Sequence, residues 1–207
     1  MDQLKERNLR IIRNLASQIS LGWHQLHVAI YLDDAFRDNK IKGATILLNN
    51  ARIACLNSSV LGLLNVVVEH EQSLSIIYLF NCLKANPSSY PYISKKELLD
   101  QIKKHRKDLM QVEAILPRLR TRRDKLISHL DKKLVTQPET VFLNSELDME
   151  SLIEAYRVLR KILDVYDKQT GSFCLWLDEK RDIYKEVDCL IMLIDKHSAE
   201  NPIRYPT

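Results

Sequence analysis

From Leu9 onward the apolar residues Leu9, Ile12, Ala16, Ile19, Trp23, Leu26 and Ile30 recur in steps of three and four. That repeat keeps one stripe along an α-helix, whereas a strand would alternate at every second residue. Lys5, Arg10, Arg13, Asp34 and Arg37 fall off the stripe. The rhythm returns at Leu47, Ala51, Ala54, Ser58 and Leu61, and again at Leu152, Tyr156, Leu159, Leu163 and Tyr166. A last stretch places Trp176, Ile183, Val187, Leu190, Ile191 and Ile194 inward. No segment holds a period of two for long. With 4 Gly and 6 Pro in 207 residues, and 45% of them apolar, neither a turn-rich β fold nor disorder fits, and the chain is long enough for a sizeable core. The expected fold is all-α, an up-and-down bundle of four to five helices with long helical arms. It forms one domain over 1–207, with helices at about 3–37, 44–84, 95–133, 147–169 and 173–197.

Local signals set those limits. Asn86-Pro87-Ser88-Ser89-Tyr90-Pro91 ends the second helix, because proline cannot donate to the helical ladder and restricts the residue before it. Ser94-Lys95-Lys96-Glu97 has the capping-box pattern, so a third helix starts near Lys95. Pro117 either kinks that helix or opens a new segment. A polar loop around Thr136 to Ser145 holds Pro138, and Thr170-Gly171 closes the fourth helix.

Several function classes find no support. Cys55, Cys82, Cys174 and Cys189 are far apart and form no C-x-x-C pair, which reads as reduced, buried thiols in a cytoplasmic protein. The charged start Met1-Asp-Gln-Leu-Lys-Glu-Arg7 does not read as a secretory leader, and the uncharged run from Ile53 to Val68 reads as too short and too polar for a membrane span. It reads as a central helix buried on most sides. Glu69-His70-Glu71 reads as an exposed charged turn rather than a cation site, and His24 and His27 beside Trp23 read as packing residues. Hydrolase, zincin and nucleotide-binding signatures are missing.

The net charge of +4 conceals a concentration. Lys103 to Lys133 carries eleven basic and four acidic residues, +7, while the remainder sums to −3. A local field of that kind attracts phosphate backbones.

Within this stretch stands Arg122-Arg123-Asp124-Lys125-Leu126-Ile127-Ser128-His129-Leu130-Asp131-Lys132. Here the sequence resembles the HEPN superfamily, whose signature is an Arg followed by a polar residue, with four to six residues before a His. Arg123, Asp124 and His129 match it, with five residues between Arg and His. The run R-D-K-L-I-S-H-L-D-K looks especially like the branch related to the phage abortive-infection protein AbiU.

On an ideal helix Arg123 and His129 point about 120° apart, whereas Arg122 comes within about 20° of His129 and Lys125 within about 40°. Either the helix is distorted near Pro117 or His129, or Arg123 reaches the site with its long side chain, or Arg122 is the functional arginine. Arg123 is preferred because Asp124 then fills the polar position.

The resemblance implies RNA cleavage without a metal or other cofactor, by homodimers whose two motifs face each other. Such chemistry needs a base for the 2′-hydroxyl proton, an acid for the leaving 5′-oxygen and cations for the charged phosphorane. His129 would transfer the proton, Arg123 neutralise the phosphate and Asp124 orient one of them. Arg120, Arg122, Lys125, Lys132 and Lys133 would position the RNA strand without reading its sequence. The expected product ends are 2′,3′-cyclic phosphate and 5′-hydroxyl. The setting would be bacterial defence or a toxin–antitoxin pair in the cytoplasm, with no membrane partner and with any antitoxin or regulatory protein on a separate chain. The alternative is a non-catalytic helical module that binds RNA or protein or dimerises.

Overall fold

The computed structural model describes residues 2–68, 74–127, 148–170 and 180–200. Among them the fold is all-α, with α1 at Asp2–Arg37, α2 at Thr45–Val67, α3 at Ile76–Ala85, α4 at Lys95–Glu113, α5 at Leu116–Arg122, α6 at Met149–Thr170 and α7 at Lys180–Glu200. Among the described residues seven α-helices stand where four or five are expected, because two of the expected helices are divided. Ser75 starts α3 afresh by accepting the Tyr78 amide at 3.1 Å, so the second helix does not run on to residue 84. Pro117 opens α5 as a new segment, since its ring cannot continue the α4 ladder. The chain divides into two compact units, one of 1–22 and 60–176, the other of 23–59 and 177–207.

In the first unit, α1 contributes Ile12, Leu15, Ala16 and Ile19, each at most 1% exposed, and α2 contributes Val60, Leu63 and Leu64. Fully burying a side chain of that size contributes about 1.5–3 kcal/mol. Leu152, Tyr156, Leu159, Leu163 and Tyr166 of α6 are all buried, as their spacing predicts. The α4 start is a complete capping box: the Glu97 amide donates to Ser94 Oγ at 3.2 Å and the Ser94 amide to Glu97 Oε2 at 2.9 Å. These bonds hold the Glu97 carboxyl below its ordinary range. Behind α4, buried His105 and Tyr166 share a hydrogen bond of 3.1 Å through Nδ1 and Oη. Tyr90 donates to the Tyr166 carbonyl at 3.0 Å and to Gln169 Oε1 at 2.8 Å, tying the proline-rich turn to the end of α6.

In the second unit, α1, α2 and α7 enclose a core of Leu32, Ala35, Ile41, Leu48, Val187 and Ile191. Asn39, with φ 55°, ends α1 in a Schellman motif: the Asn39 amide donates to Phe36 O at 3.1 Å and the Lys40 amide to Ala35 O at 2.9 Å. The Asp195 carboxylate then receives the Gly43 amide at 2.6 Å and the Lys42 amide at 3.3 Å. His27 is buried, edge-on to Trp23 at 4.3 Å and 3.2 Å from the Tyr184 hydroxyl, which is the packing role its spacing suggests. Tyr31 stacks on Tyr184 and donates to Asp188; burial first, and then that bond, push its hydroxyl up to about 12.

Three expectations about burial need correction. The run from Ile53 to Val68 is buried or half-buried at all but Ile53, Ala54 and Asn65, but at the start of α2 the residue turned into the core is Leu48 and not Leu47, which is 63% exposed beside an open Ile46. Arg52 is the only charge in α2, and without polar contrast the apolar spacing cannot say which stripe faces inward. In α7, Val187 and Ile191 are buried but Leu190 is half exposed. Among the cysteines Cys82 is buried, Cys55 half-buried and Cys189 exposed; Cys174 lies outside the described residues, as do Trp176 and Glu69-His70-Glu71.

Candidate functional site

The basic segment is built from α4 and α5 and the π-helical stretch that follows. Leu98, Ile102, His105, Leu109 and Val112 turn one face of α4 inward, leaving Lys103, Lys104, Arg106 and Lys107 exposed on the other. After Ala114 the chain restarts with Leu116 and Pro117. Leu116 and Leu119 anchor α5 in the core, so Arg118 and Arg120 are presented to solvent. Thr121 returns its hydroxyl to the Pro117 carbonyl at 2.9 Å, a bond that tends to bend a helix.

At Arg123 the winding changes. Residues Arg123–Ile127 form a π-helix, with hydrogen bonds that span five residues instead of four. Of the explanations open for the angle between Arg123 and His129, distortion of the helix is therefore present, both before Pro117 and directly at the motif. Such π-turns inside α-helices occur often at functional sites. Arg123 Nε donates to Asp124 Oδ1 at 2.6 Å, with the guanidinium side chain 33% exposed and the carboxylate 51%. That bond raises Arg123 above its already high ordinary value, so the guanidinium is charged throughout the working range. Exposure keeps the stabilising value of this pair small.

Arg120 lies exposed in the last turn of α5, Arg122 is half-buried with Nε shielded from solvent, and Lys125 is half-buried in the π-helical stretch. The fold thus brings Arg123 and Asp124 into contact and sets three further cations on the same two turns. His129, Lys132 and Lys133 lie outside the described residues.

Asp148, which the charge count does not single out, sits at the start of α6. It accepts the Ser151 hydroxyl at 2.7 Å and the Glu150 and Ser151 amides at 3.2 Å each. Those bonds, the Ser151 hydroxyl foremost, and the positive charge of Arg118 hold its carboxyl below the ordinary value. Arg118 is accordingly a cation near the head of α6 as well as on α5, and a signal for it exists in the Asp-Met-Glu-Ser order, which is that of a helix N-cap. Among the described residues no group of three His, Cys, Asp or Glu side chains is placed to hold a metal ion, and no helix is long and apolar enough to cross a membrane.

No curated protein and no solved structure matches the chain. The family model of AbiU2, a HEPN family, matches residues 42–187 and so spans α2 through the motif to the first part of α7. That is more than two thirds of the sequence, and it contains every cation placed above. The chain therefore belongs to the AbiU2 family of HEPN domains, a family related to abortive infection.

Proposed function

We propose that this chain is a metal-independent endoribonuclease of bacterial defence, acting in abortive infection or in a toxin–antitoxin pair. The observation that carries the reading is the Arg123–Asp124 pair on a π-helical stretch inside the basic segment. An aspartate 2.6 Å from the guanidinium fixes its orientation while leaving it partly open to a phosphate. His129, at the end of the motif, takes the proton of the 2′-hydroxyl or supplies one to the 5′-oxygen, since imidazole titrates near neutrality. Arg123 meets the charge that grows on the phosphorane. Arg120, Arg122, Lys125, Lys132 and Lys133 hold the strand through its backbone. Two copies facing each other would supply the second proton-transfer group. The protein would work in the cytoplasm without a cofactor, restrained by a separate antitoxin or regulatory chain.

Incubation of purified protein with total RNA in EDTA tests the reading. Cleavage with 2′,3′-cyclic phosphate and 5′-hydroxyl ends is expected; His129→Ala should abolish it and Arg123→Ala should lower it by roughly 10²–10³. Intact RNA across a range of protein concentrations would leave the non-catalytic binding module instead, and undiminished cleavage by His129→Ala would overturn the assignment of proton transfer to His129.

A further inference from the structure

Away from the motif, but within the same compact unit, Gln3, Lys5, Glu6, Leu9 and Arg10 of α1 and Tyr92 line an open groove of about 770 Å³. The Lys5 ammonium stands 5.3 Å from the centre of the Tyr92 ring. That ring is half-exposed and is supported edge-on by Tyr90, with centroids 5.0 Å apart. Tyr90 is itself 2% exposed and bonded to α6 through the Tyr166 carbonyl, so the back of the platform is fixed. Glu6 is spoken for by Arg10 at 3.5 Å, and Lys95 and Lys96 of the first turn of α4 lie exposed three and four residues beyond Tyr92.

We propose that this groove is a second RNA contact, in which one unpaired base stacks on Tyr92 while the adjoining phosphate is met by Lys5. The inference rests on RNA being the substrate, and it adds to that reading a preference for single-stranded RNA. The groove falls within the range of volumes that small ligands and single nucleotides fill. An ammonium over an exposed ring is held weakly. When a strand enters, the ammonium turns to the phosphate and the base takes the face it leaves, so both side chains exchange one partner for another. Every base has a π-face, which makes such a platform tolerant of sequence and sensitive to salt. A peptide is the poorer fit, because among the described residues Leu9 is the only aliphatic side chain in the lining.

The test uses the full chain carrying His129→Ala and a twelve-nucleotide oligouridine containing 5-iodouridine. Irradiation followed by peptide mass spectrometry should place a crosslink on Tyr92. Tyr92→Ala should weaken binding about tenfold while Tyr92→Phe keeps it, and Lys5→Ala should lower the salt slope by about 0.7, the share of one phosphate on a single strand. Crosslinks confined to residues 118–133, with binding unchanged in Tyr92→Ala and Lys5→Ala, would overturn the groove and leave the ribonuclease reading standing. Oligouridine that fails to bind the chain at all would overturn both. Binding to phosphatidylserine vesicles that depends on Tyr92, with RNA binding indifferent to it, would reassign the groove to a membrane surface and overturn the inference.

Discussion

Gly22 of α1 lies directly against the hydroxyl end of Tyr156 of α6, close enough that a β-carbon on Gly22 would overlap the oxygen and come within 2.8 Å of Cζ. Tyr156 is fully buried and cannot swing aside. Gly22→Ala should therefore destabilise the fold by about 1–3 kcal/mol, the usual cost of overpacking. Gly62 of α2 faces the same hydroxyl, but a β-carbon there would sit 3.5 Å away, in ordinary contact. Gly62→Ala should be neutral or stabilise by up to about 1 kcal/mol through helix propensity. Urea denaturation of the two variants should move the midpoint in opposite directions, and Tyr156→Phe should recover part of the Gly22→Ala loss.

The Arg123–Asp124 pair predicts a graded series in RNA cleavage. On the proposed mechanism Arg123→Ala takes away the cation meant for the phosphate and should lower the rate by roughly 10²–10³, while Arg123→Lys should rescue little, because an ammonium cannot reproduce the planar donors of guanidinium. Asp124→Asn leaves Arg123 charged and loosens its orientation, so a smaller loss is expected. Both positions are partly open, and the circular dichroism and melting curves of the three variants should match those of the parent protein. A series in which Lys equals Arg would show that charge alone suffices and that the planar donors play no part.

Burial holds the His105 imidazole below its ordinary value, with Lys104 and Lys161 adding to the effect and Asp108 opposing it. The unfolded chain then binds a proton at His105 at a pH where the folded one does not. Stability from this site is present above pH 6.5 and is lost as the pH falls from there through the folded-state value. Chemical denaturation at pH 7.5 and 5.5 should show the lower stability at 5.5, and His105→Gln, which keeps a polar group for Tyr166, should flatten the difference.

Asp195 holds the turn between α1 and α2 by accepting two amides, and it is the one described side chain that bonds the backbone of Lys42 and Gly43. Asp195→Ala should cost about 1.5–3 kcal/mol, the usual range for hydrogen bonds to a charged group. Amide exchange is the sharper measurement: faster exchange at Gly43 and Lys42, with α4 and α6 unaffected, is expected. Uniform acceleration across the chain would contradict a local role.

The helical stripes of α1 and α6 were legible because charges flank them, so spacing alone separates inside from outside. The Ser94–Glu97 box and the stop at Pro87 were legible too, since each is a local matter of donors and acceptors. The orientation of α2 was not: Leu47 and Leu48 differ only by which packs against Ile191 and its neighbours, a fact of tertiary structure. The close approach of Gly22 to Tyr156 spans 134 residues and leaves no mark on either stretch of sequence. At the candidate site, Arg123 and Asp124 announced themselves by residue type and order. The angle between Arg123 and His129 announced only that an ideal helix would not serve, and the π-turn is the form that the departure takes.

In a helix, position along the chain and angle about the axis are one variable, and the turn at Arg123–Ile127 is where this protein separates them. A π-turn is in effect an α-helix holding one residue too many. Deleting one residue there would let the stretch close into the ordinary repeat and spare the side chains beyond it the turn of about 100° that a deletion from a regular helix imposes. A change of length at this point is thus absorbed by the winding. A motif defined by a variable count of residues is what such a turn permits: the count can drift while the direction of the side chains is restored by winding.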